Sequence, residues 1–75
     1  METLIAEFMA GLLLAGFSET GASERSYDYA LALGIGQLPE KDTHVSAKLM
    51  LHAAELLVKA KPLAYRIYES RKDKS

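Results

Sequence analysis

The sequence predicts an all-α fold, a small bundle of three to four helices built around a nearly all-apolar N-terminal helix. Three observations predict it. Apolar residues recur at three- and four-residue spacing through most of the chain. The residues that punctuate structure gather in two places, Ser18-Glu19-Thr20-Gly21 and Gly34-Ile35-Gly36-Gln37-Leu38-Pro39, as turns between helices would. The one stretch that alternates like a strand has no second strand to take its backbone hydrogen bonds.

The first helix is expected over about residues 2–17. Leu, Met, Ala and Glu dominate it, all good helix formers. Leu4, Phe8 and Leu12 form one row at four-residue spacing. Ile5, Met9, Leu13 and Phe17 form a second, and Ala6, Ala10 and Leu14 a third. Three adjacent rows cover most of the circumference, so this helix is buried on all sides or lies at an interface. Gly11 and Gly16 each cost roughly 1 kcal/mol relative to Ala in a helix interior, unless Gly16 begins the C-terminal cap.

A second helix is expected over about residues 22–34, with Ser23 as N-cap and Glu24 in its first turn. Tyr27, Tyr29, Leu31, Leu33 and Ile35 also alternate as a strand would. Ala30 and Ala32 favour helix. The third helix is expected over about residues 43–61, capped by Asp42 or Thr43. Val45, Leu49, Ala53, Leu56, Leu57 and Ala60 make its apolar face; Lys48, His52, Glu55 and Lys59 make the polar one. Pro62 removes a helical N–H, so the helix either kinks there or a fourth begins, over about residues 62–71.

Length and composition bound the function. The chain has 75 residues, 49% hydrophobic and 25% charged, with a net charge of −1. That describes a single domain spanning residues 1–75, too apolar for disorder. A domain this small buries only roughly 60% of the surface its unfolded chain exposes, so self-association is a natural source of extra stability. The chain contains no cysteine, which excludes disulfides, cysteine-type zinc sites, iron–sulfur clusters and a thiol nucleophile. No signal-like positive charge precedes the apolar N-terminal run, whose uninterrupted stretch from Phe8 to Phe17 is shorter than the about 20 residues a span needs. The expected location is the cytoplasm, with no membrane span.

The chemistry-bearing residues are few. His44 and His52 lie eight apart, with Glu55 three beyond His52, but a metal needs three or four ligands at one point. Ala30-x-x-x-Gly34 has the spacing of a helix-turn-helix, yet Gly36 and Pro39 fall where the second helix belongs. Gly34-x-Gly36 lacks the third glycine and the strand of a phosphate-binding loop. Tyr27, Tyr29, Tyr65 and Tyr68 are expected to line a core edge with the hydroxyl reaching water, with a binding surface as the alternative. No enzyme activity, metal, cofactor or small-molecule substrate is expected.

Charge is unevenly divided. Residues 1–40 carry one cation and six anions, −5; residues 41–75 carry eight cations and four anions, +4. The leading expectation is a protein-interaction module, favoured as a homodimer, acting as a small adaptor, inhibitor or regulator. Its anchors would be Leu4, Ile5, Phe8, Met9 and Leu12 on the first helix. The alternative is a nucleic-acid-binding regulator using Lys59, Lys61, Arg66, Arg71 and Lys72.

Overall fold

A computed structural model describes residues 1–36 and 46–73. They form three packed helices, α1 (Glu2–Leu14), α2 (Glu19–Gly36) and α3 (Ala47–Lys72), with no strand among the described residues. The molecule is all-α and elongated, 43 × 19 × 17 Å. Residues 27–35, which alternate like a strand, lie inside α2.

Each helix end has a local cause. α1 stops at Leu14 rather than at residue 17, because Gly16 turns left-handed with φ of 100°. The Gly16 amide donates to the Leu13 carbonyl at 3.1 Å, and the Phe17 amide to Leu12, also at 3.1 Å. These two bonds are a Schellman motif, which satisfies carbonyls that the helix end would leave open. An alanine at position 16 would hold its Cβ against the following carbonyl. Gly16→Ala is therefore expected to destabilise the chain by about 1–2 kcal/mol. Urea denaturation followed by circular dichroism reads this directly; an unchanged midpoint would show that the turn does not need glycine.

α2 starts three residues earlier than the sequence suggests. Its cap is Ser18, not Ser23: the Gly21 amide donates to Ser18 Oγ at 3.0 Å. Glu19 then stands in the first turn, favourable to the helix dipole. Arg25 reaches back over the Phe17 ring, 4.6 Å from its centroid, and fastens the turn to α2. α2 also continues through Gly34 and Gly36, so the expected turn at Gly34 is absent and the helix-turn-helix spacing is lost. Gly34 has a packing reason: a Cβ there would lie 2.8 Å from Leu49 Cδ1 of α3.

α3 begins at Ala47 after Ser46, whose Oγ accepts from the Leu49 amide at 3.2 Å. Asp42, Thr43 and Val45, given roles at this end by the sequence, lie outside the described residues. Pro62 lies within α3, so 62–71 is not a separate helix. Pro62 and Val58 are both exposed, so water reaches the side where the missing N–H leaves a carbonyl without a donor. Arg71 and Lys72 close the helix with favourable charge.

The core is made largely of alanine. Of ten buried apolar side chains among the described residues, seven are Ala6, Ala10, Ala22, Ala30, Ala53, Ala60 and Ala64; the others are Ile5, Met9 and Leu57. In α2, Ala22, Ser26, Ala30 and Gly34 form one row at four-residue spacing. Small residues on facing rows let helices pack closely, and at Gly34 the space a Cβ would take is filled by the Leu49 side chain. α1 packs most extensively on α3, and α2 closes on both. Partly buried Leu12, Leu13, Leu31, Leu33, Leu56, Leu63 and Ile67 edge this core.

Candidate protein-interaction surface

The apolar rows of α1 separate once the helices pack. Ile5 and Met9 are fully buried, so neither reaches a partner while the fold is intact. Leu12 is half-buried against the core. Leu4 and Phe8 point outward, 49% and 37% exposed. The five anchors expected from the sequence thus divide into two core residues, one core-edge residue and two surface residues. Phe8 does not stand alone: its ring stacks on Tyr29 of α2, with centroids 4.4 Å apart and planes 25° apart. Stacked rings lose less conformational freedom on binding than mobile chains do, which favours them as contact points. Glu7 is exposed beside them, and α1 has two anions and no cation.

A second outward apolar surface lies on α3. Leu51 is 62% exposed and Val58 67%. With Ala54, Glu55 and Lys59 they line an open depression of about 360 Å³. Leu51, Ala54 and Val58 are spaced three and four apart, the seam spacing by which one helix packs on another. Sequence reasoning missed this face because Leu51 and Val58 interleave with Lys48, His52, Glu55 and Lys59. The seam spacing was the signal that could have found it. α3 carries six cations against two anions, a balance of +4.

The five candidate basic residues do not form one stripe. Lys59 and Arg66, seven apart, share one side of α3; Lys61 and Lys72, eleven apart, share another. Arg71 falls on neither row. The Lys72 ammonium lies over the Tyr68 ring, 5.6 Å from its centroid. His52 is exposed, while His44 is outside the described residues. Among the described residues no group of three His, Cys, Asp or Glu side chains is placed to hold a metal. None of the described helices is long and apolar enough to cross a membrane.

Between α2 and α3 an open groove of about 440 Å³ is lined by Ser23, Glu24, Tyr27, Asp28 and Leu57. Nearer the start of α2, Tyr65 of α3 comes up beside Glu19. The Glu19 carboxylate facing the hydroxyl, then burial, then the Glu19 charge hold the Tyr65 phenol above its ordinary value of 10.0. Tyr65 Oη and Ser26 Oγ are both buried with no hydrogen bond formed. All three causes act in the same direction and disfavour the phenolate. A raised phenol favours the folded state below the unfolded value of 10.0. That contribution disappears as pH rises through the folded value. Stability measured across the alkaline range is expected to fall less steeply in Tyr65→Phe than in the wild type. Parallel curves would contradict the Tyr65–Glu19 contact.

No protein-family model matches the chain, and comparison with curated proteins and with solved structures gave no match.

Proposed function

We propose that the chain is a non-enzymatic protein-interaction module, a small adaptor, inhibitor or regulator that acts by binding another protein chain. One observation carries this reading: the size of the apolar side chains is inverted between inside and outside. The interior is mostly alanine, while Leu4, Phe8, Leu14, Phe17, Met50, Leu51 and Val58 are exposed. Single exposed apolar residues are ordinary on any protein surface, but clustered ones mark interaction sites. Fully burying one Leu, Val or Phe stabilises by about 1.5–3 kcal/mol. Burying these exposed side chains against a partner would therefore add a substantial hydrophobic gain.

The test compares the immobilised wild-type chain with a Phe8→Gln/Val58→Gln variant in native lysate. Proteins held by the wild type and lost from the variant are the expected result, identified by mass spectrometry. Equal retention on both would overturn the reading.

A further inference from the structure

We draw no further inference here: the strongest candidate, the outward apolar face of α3 formed by Leu51, Ala54 and Val58, is bordered by Glu55 and Lys59 together, so its charge selects no partner, and nothing in the structure shows what covers it.

Discussion

Ile5→Ala is expected to lower the unfolding free energy by about 2–5 kcal/mol, the range for removing a buried aliphatic side chain and leaving a cavity. Ile5 is fully buried, and with Met9 it is one of the two large apolar side chains completely hidden in the core among the described residues. Alanine neighbours have no rotatable chain with which to fill the space it leaves. The effect is large relative to the whole: a domain of 75 residues has a total stability of about 4–11 kcal/mol. The variant is expected to be substantially unfolded at moderate urea where the wild type is intact. Far-UV circular dichroism across a urea series measures it. A loss below about 1 kcal/mol would show that Ile5 is not a core residue.

Ala60→Leu is expected to destabilise the chain from the opposite cause. Ala60 has no exposed surface, and alanine lines all three helices at the contact. Three further carbons at that position must push a helix away or force neighbours off their rotamers, at a cost of about 1–3 kcal/mol. Leu and Ala differ little in helix propensity, so the measured loss reports crowding rather than backbone preference. In a domain of this size each kcal/mol lowers Tm by about 4–8 °C. An unchanged Tm would show open space beside Ala60 and contradict close helix approach.

Helix positions were legible where local chemistry decides them. The propensity of residues 2–14, the cap at Gly16 and the apolar face from Leu49 to Ala60 all appear in the sequence. Helix starts were harder. Ser18 and Ser23 are both plausible caps; the choice follows from the Schellman turn at Gly16 and Phe17, which sets the chain's direction before α2. Pro62 reads as a break, yet its exposed position lets α3 continue through it.

The surface was legible only in part, for a tertiary reason. α1 has three apolar rows, and nothing local says which one turns inward. The rows with Ile5, Met9, Ala6 and Ala10 are buried because α2 and α3 offer matching small residues, Ala22, Ala30, Ala53, Ala60 and Ala64. Leu4 and Phe8 are left outside by that match. On α3 the same match selects the row through Ala53, Leu57, Ala60 and Ala64 and turns Leu51 and Val58 outward.

The central claim is that different apolar side chains serve folding and binding. Urea denaturation of Leu51→Gln/Val58→Gln tests it most directly, at a dilution where variant and wild type both scatter as monomers. Glutamine is a good helix former and both positions face water, so each substitution is expected to change stability by no more than about 0.5 kcal/mol. A combined loss above about 2 kcal/mol would mean that the chain's own fold needs those side chains, and would contradict the account.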